Sequence, residues 1–397
     1  MQSSDDLLSA RDTARRLGIK LDTLYAYVSR GLLQSVAVTG SRERRYRPED
    51  VERFRLGRGA ERPREALIPV IDSAISLIDN GRFYYRGRDA LALADTATLE
   101  EVAALLWQST SPQADPDRPP VEFDGSVIRN RRSVAAPAAA SGVIERCQIR
   151  LAAISASDAA AFDLTRHGVV ATGRAILSAL VACIAGVDAD DRPVHRCLAA
   201  CWRLEAAAAD LVRRCLVLVA DHELNASTFV ARCVASTGAT PYAVVAAALA
   251  ALSGRRHGGA SARAEAMFRE IGENPDPLPA MAARLARGDS LPGLGQPLYP
   301  DGDPRARAIL AAIGAAAPRA APRIAAAAAA ASRLTGEYPN LDFALAAAAT
   351  ALGLPNGAAL GLFVVGRTVG WIAHAIEQYE NPMLIRPRAR YTGPRPA

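Results

Sequence analysis

The 397 residues predict a mainly α-helical protein, with a short basic head closed by a strand pair and a long helical body behind it. Three observations carry that prediction. After residue 65, apolar residues recur at three- and four-residue spacing, with few alternating β-branched runs. Half of the residues are hydrophobic, 22% are charged and 5% are aromatic, a globular composition rich in alanine, whose small side chain lets helices pack closely. Charge is uneven: residues 1–65 hold 14 Lys/Arg against 10 Asp/Glu, four of the six net positive charges.

In the head, Ser9 caps a helix through ARDTARRLG, whose apolar Ala10, Ala14 and Leu17 share a face and whose stop is Gly18. Asp22 caps a second helix, DTLYAYVSRG, ending at Gly31. The following LLQSVAVTGSRERRYRPEDVERF reads as two strand-like pieces around Thr39-Gly40-Ser41, then a helix begun by Pro48-Glu49-Asp50. SARDTARRLGIKLDTLYAYVSRGLL and RRYRPEDVERF together resemble the winged helix-turn-helix of the MerR and excisionase type. That resemblance implies that Thr23, Tyr25, Ala26 and Ser29 face bases, and that Arg42, Arg44, Arg45 and Arg47 face phosphates. A head of this kind also serves protein contacts. Residues 1–56 form it, and a linker rich in Gly, Pro and charge spans 57–65.

The body, 66–397, is helical in pattern. Segment 108–139 is Pro-rich and reads as a long loop, whereas Ala325–Ala331, next to Ile324 and Leu334, reads as a packed helix. Six cysteines without a CxxC pair indicate neither a zinc ribbon nor a disulfide framework. His195, Cys197 and Cys201 lack a fourth metal ligand. Acids near the N-terminus and charge-broken apolar runs predict a cytoplasmic chain that neither enters nor spans a membrane.

Four stretches concentrate polar groups in apolar surroundings: ADHELNAST (220–228), GRRHGGA (254–260), LPGLGQPLYPDGDPR (291–305) and YPNLDFAL (338–345). With IDNGRFYYRGRDALALADTATLEEVAALLW (78–107), GRTVGWIAHAIEQ (366–378) and LIRPRARYTGP (384–394), they resemble the motifs of citrate synthase, in family order, over about 65–397. The resemblance implies a large helical domain with a small one inserted at about 258–355, and a homodimer with shared active sites. It implies no metal and no bound cofactor. The reaction would condense acetyl-CoA, or propionyl-CoA, with oxaloacetate to citrate or 2-methylcitrate.

Forming a carbon–carbon bond from a thioester methyl needs a base in reach of the α-proton. Asp342 matches the family's base. The developing enolate needs a hydrogen-bond donor, a position that His257 matches. Two substrate carboxylates call for cations in fork geometry, and Arg305, Arg367 and Arg386 match the family's arginines. Arg386 would reach the neighbouring subunit's site. His222 matches a histidine that hydrogen-bonds oxaloacetate. One residue departs from the pattern: Gln296 stands where the family has a histidine that polarises the ketone and delivers a proton. An amide donates a hydrogen bond but transfers no proton at neutral pH. Losing acid help worth about 10²–10⁴-fold leaves three readings: a slow enzyme with another proton donor, a different ketone partner, or ligand binding without turnover. The last is a DNA-binding regulator whose body senses a CoA thioester or a dicarboxylate.

Overall fold

A computed structural model describes residues 7–19, 21, 24, 25, 28, 33, 35–37, 44–48, 50, 51, 71–107, 142–186, 192–381, 383–389 and 391–394. The chain divides into two compact units, residues 1–71 and 72–397. In the first, α1 (Ala10–Leu17) starts where Ser9 Oγ accepts the Asp12 N–H at 3.1 Å and ends at Gly18, whose φ of 64° only glycine adopts cheaply. Strands β1 (Val36–Ala37) and β2 (Arg44–Arg45) pair antiparallel, and Leu8 bridges Tyr46 beside them. Ala14, Leu24, Leu33, Tyr46 and Val51 form a small core under this strand pair. The expected cap Asp22, the stop Gly31, the Thr39-Gly40-Ser41 tip, the 57–65 linker and the 108–139 loop all lie outside the described residues.

The second unit opens on strands where the sequence reading expected helix. β3 (Ser76–Asp79), β4 (Arg82–Tyr85) and β5 (Arg88–Asp89) form an antiparallel meander. Two-residue turns make it: Asn80-Gly81 and Arg86-Gly87 all have positive φ, the backbone that lets strands of ordinary right-handed twist fold back directly. Asn-Gly followed by RFYY is a strand signal, and it was outweighed by the helical spacing of the long body around it.

Fourteen further α-helices follow among the described residues, and only those that build the site need names. They are α2 (Arg166–Ala185), α3 (Ala206–Val219), α4 (Ala226–Ala235), α5 (Gly259–Ile271), α6 (Pro304–Ala316), α7 (Ala321–Thr335), α8 (Leu341–Ala351) and α9 (Ala358–Tyr379). α9 is the axis, packed against α2, α3, α4 and α8 and buried almost throughout. A side chain at Gly366 would meet the Leu216 carbonyl at 2.7 Å, so glycine allows α9 to lie directly on the end of α3. There Gly370 N–H donates to the Ala220 carbonyl at 3.0 Å. α2 and α9 are long and apolar enough to cross a membrane, but 94% of the apolar stretch of α9 is buried within the protein and α2 packs against it. In α7 the Ala-rich run is an ordinary packed helix, burying Ile324, Ala327, Ala330 and Ala331.

Candidate active site

Motifs far apart in sequence meet at helix ends. The loop 291–305 is stitched to the start of α8: Asn340 N–H donates to the Gly293 carbonyl at 2.8 Å, and Gly295 N–H donates to the Tyr338 carbonyl at 2.8 Å. Gly293, at φ 82°, lies so close that an added Cβ would stand 2.7 Å from the Phe343 nitrogen. Asn340 caps α8 by accepting from the Asp342 and Phe343 N–H groups. Asp342 therefore sits in the first turn, half-buried, its Oδ1 accepting a hydrogen bond from Ser261 in α5. Burial raises its pKa above the ordinary carboxylate range, against the pull of the Ser261 hydrogen bond and of the Arg305 and Arg367 charges.

His257 precedes α5, and its Nε2 lies 2.7 Å from Ser227 Oγ in the first turn of α4. Ser227 also accepts from the Trp371 indole N–H at 3.2 Å, and the His257 ring stands edge-on to Phe363. Burial, assisted by the Arg367 charge, lowers His257 to about 4, so the ring is neutral at pH 7. His222 is neutral for the same reason, held well below its ordinary value by burial and then by Arg305 and Arg367. Its Nε2 lies 3.0 Å from the Tyr299 hydroxyl. The turn that presents it is strained, with Glu223 at φ 51° held by its N–H on Asp221 Oδ2 at 3.1 Å.

The two buried arginines of the matched motifs differ in how they are neutralised. Arg305, in the first turn of α6, grips Asp303 through Nε at 3.0 Å and Nη2 at 2.8 Å. Its guanidinium also lies over the Phe83 and Tyr299 rings, at 5.8 and 5.6 Å. Arg367, on α9, is 1% exposed, donates from Nε to the Val219 carbonyl at 2.7 Å, lies 4.9 Å from the centre of the Phe363 ring and, among the described residues, leaves Nη1 without a hydrogen-bond partner. Among the described residues no carboxylate is bonded to it, and burial lowers its pKa to about 10 although Asp221 acts the other way. A buried cation with a vacant donor is a receptor for an anionic oxygen.

The structure thus brings Asp342, His257, His222 and Arg305, each at or beside a helix start or end, within electrostatic reach of Arg367 in the middle of α9. Gln296 lines a cleft of about 420 Å³ with Tyr299 and Asp303, which tie it to His222 and Arg305. Arg386 stands apart, exposed in the extended segment that follows α9, where Ile385 N–H donates to Ser236 Oγ at 3.1 Å. On the head, Arg44 and Arg47 are exposed, Arg45 is half-buried and Tyr25 is 53% exposed, while Thr23, Ala26, Ser29 and Arg42 lie outside the described residues.

Sequence reasoning missed several partners. Ser261 and Ser227 hold Asp342 and His257, Asp303 neutralises Arg305, and Tyr299 meets His222. Asp221 is also new: buried, it accepts from Ser76 Oγ at 2.5 Å and faces His374 Nε2 at 3.3 Å. Burial would raise it, but His374, Arg367 and Ser76 hold it below the usual range. Asp303 is the one with a readable signal, since Asp-Pro-Arg at a helix start is a cap.

The family profile for the citrate synthase C-terminal domain matches residues 66–388, and a helix-turn-helix domain profile matches residues 7–59. Citrate synthase of Haloferax volcanii is 37% identical over 158 residues, covering 38% of this chain and 42% of that protein. The 2-methylcitrate synthase 1 of Corynebacterium glutamicum is 35% identical over 166 residues, 40% of this chain and 43% of that one. The matched stretch therefore spans less than half the length of these relatives. In structure, citrate synthase of Thermotoga maritima superposes with a TM-score of 0.63 at 25% identity, over 83% of this chain and 95% of that one. The Thermoplasma acidophilum enzyme, solved with carboxymethyl coenzyme A and oxaloacetate, shares the fold at a TM-score of 0.65 and 24% identity, with the same coverage.

Proposed function

The chain belongs to the citrate synthase family, and from that premise we propose that it condenses acetyl-CoA or propionyl-CoA with oxaloacetate, then hydrolyses the thioester to release CoA. The observation that carries the reading is Arg367, a buried guanidinium with a vacant Nη1 beside a neutral His257 and the raised carboxyl of Asp342. One carboxylate of oxaloacetate supplies the missing anion, and Arg305 and Arg386 serve the other, Arg386 from a second subunit. His222 lines the oxaloacetate site in this reading.

Asp342 takes the proton from the thioester methyl; its raised pKa makes it a stronger base than an exposed aspartate. His257 receives the enolate. Its Nε2 lies against Ser227 Oγ, so Nδ1 is the nitrogen left for the thioester oxygen, and this reading takes the tautomer with its proton on Nδ1. A neutral donor suits an enolate that must react onward, because a full positive charge would hold it too firmly. Segment 258–355, the small domain of this reading, closes over both substrates and keeps water from the carbanion. Gln296 hydrogen-bonds the ketone without protonating it.

Release of CoA thiol from each thioester with oxaloacetate tests this. Wild type should turn over, and Asp342→Asn should lose about 10²–10⁴-fold. Silence in the wild type, or an unaffected Asp342→Asn, would overturn it.

The helix-turn-helix match and the exposed Arg44 and Arg47 favour a second activity of the head, binding of duplex DNA, so that the body reports ligand occupancy to a gene-control site. That reading stands alone as a regulator if the synthase assay is silent while oxaloacetate still binds.

A further inference from the structure

We propose that Tyr299 is the acid of the condensation, delivering its phenolic proton to the ketone oxygen in place of Gln296; the inference rests on the reaction proposed above. When the methyl carbon attacks the ketone carbon, the carbonyl π pair moves onto oxygen. That alkoxide must receive a proton as the bond forms. Gln296 cannot supply one, since an amide N–H does not ionise in this range. His222 cannot either: it is buried and uncharged, with two arginine charges keeping it so.

Tyr299 stands three residues from Gln296 on one turn, its N–H donating to the Gln296 carbonyl at 2.8 Å, and both line the same cleft. It is 3% exposed, whereas Glu337 and Tyr338, also in that cleft, are open to solvent. The His222 ring nitrogen 3.0 Å from its hydroxyl orients it. With the imidazole N–H donating to the phenol oxygen, the phenolic proton points away from His222 and is available to a ligand. The Arg305 guanidinium, 5.6 Å from the ring centre, favours the phenolate left behind, against the nearby Asp303 and Glu223. Burial pushes the phenol up to about 12, so it is protonated at neutral pH and holds a proton to give.

The protons balance. Asp342 gains the methyl proton and the new C–C bond takes the C–H electron pair. Tyr299 loses its proton to the alkoxide and regains one from cleft water, and Asp342 returns its own to solvent during thioester hydrolysis.

The test is a double-variant comparison on the full chain. Tyr299→Phe should lower kcat for CoA release about 100-fold or more, with KM for oxaloacetate within threefold. In a Gln296→His background, where an imidazole supplies the proton, the same change should cost less than about tenfold. Equal losses in both backgrounds would mean that Tyr299 only props His222, and would overturn the proposal. An unchanged Tyr299→Phe overturns it too, leaving the condensation intact. A silent wild type removes the condensation itself and this step with it.

Discussion

Replacing Arg367 by methionine should leave the ligand-free protein close to wild-type stability while weakening its hold on oxaloacetate. The guanidinium is 1% exposed, and burial brings it down to about 10, a cost to the folded state on the order of 3 kcal/mol at about 1.4 kcal/mol per tenfold. The sign follows from the direction. A cation whose pKa is lowered by folding is disfavoured in its charged form, and at pH 7 it is charged in both states. Methionine removes that cost and fills most of the volume, but forfeits the 2.7 Å bond to the Val219 carbonyl, worth about 1.5–3 kcal/mol for a charged donor, and the contact with the Phe363 ring, worth about 0.5–2 kcal/mol. The net lies between about 2 kcal/mol against the variant and about 1 kcal/mol in its favour, and Tm moves by no more than about 2–4 °C per kcal/mol. Oxaloacetate, by contrast, loses a desolvated charge contact worth about 2–5 kcal/mol, roughly a 30- to 5,000-fold weaker Kd. Differential scanning calorimetry with and without oxaloacetate reads both quantities, because ligand stabilisation grows as RT ln(1 + [L]/Kd). A Tm that falls by more than about 5 °C, on the order of 2 kcal/mol, would refute the picture of a cation disfavoured by its burial. So would an oxaloacetate-induced rise equal to that of wild type.

Ser261→Ala removes a hydrogen bond that holds Asp342 down, so its pKa should climb further. The acid limb of kcat/KM then moves to higher pH, and activity at pH 6 suffers more than at pH 8; parallel pH profiles check it. His257, at about 4, should contribute no inflection between pH 5.5 and 9, and a variant profile that retains the wild-type limbs would agree. Gly293→Ala places a Cβ 2.7 Å from the Phe343 nitrogen at a φ that other residues avoid, and should destabilise by more than about 2 kcal/mol. Chemical denaturation measures that, and kcat should fall with it because the loop and α8 share the strain. For the head, log K for generic duplex DNA should fall linearly with log salt, and replacing Arg44, Arg45 and Arg47 by glutamine should flatten the slope by about 2–3. A slope near zero in the wild-type chain would remove DNA from the account.

Residue types and their order along the chain were enough to read the helical class, the capped first helix of the head and the motifs that carry Asp342, His257, His222, Arg305 and Arg367. Such features are local: a cap needs three consecutive residues, and a helix face needs one period. The 76–89 meander was legible at Asn80-Gly81, yet its strands are too short to register against the helical spacing around them. Tertiary structure decided the rest. Ser261 and Asp342 are 81 residues apart, His222 and Tyr299 77, and Arg367 and Val219 148. No spacing rule encodes those meetings, because they follow from how α9 lies on α3 and how the 291–305 loop closes on α8. Whether a buried arginine already has its counter-ion, as Arg305 does and Arg367 does not, depends on which chemical groups arrive beside it. The sequence by itself determined which chemical groups were present, and packing alone determined which of them were left without partners and therefore able to bind and react.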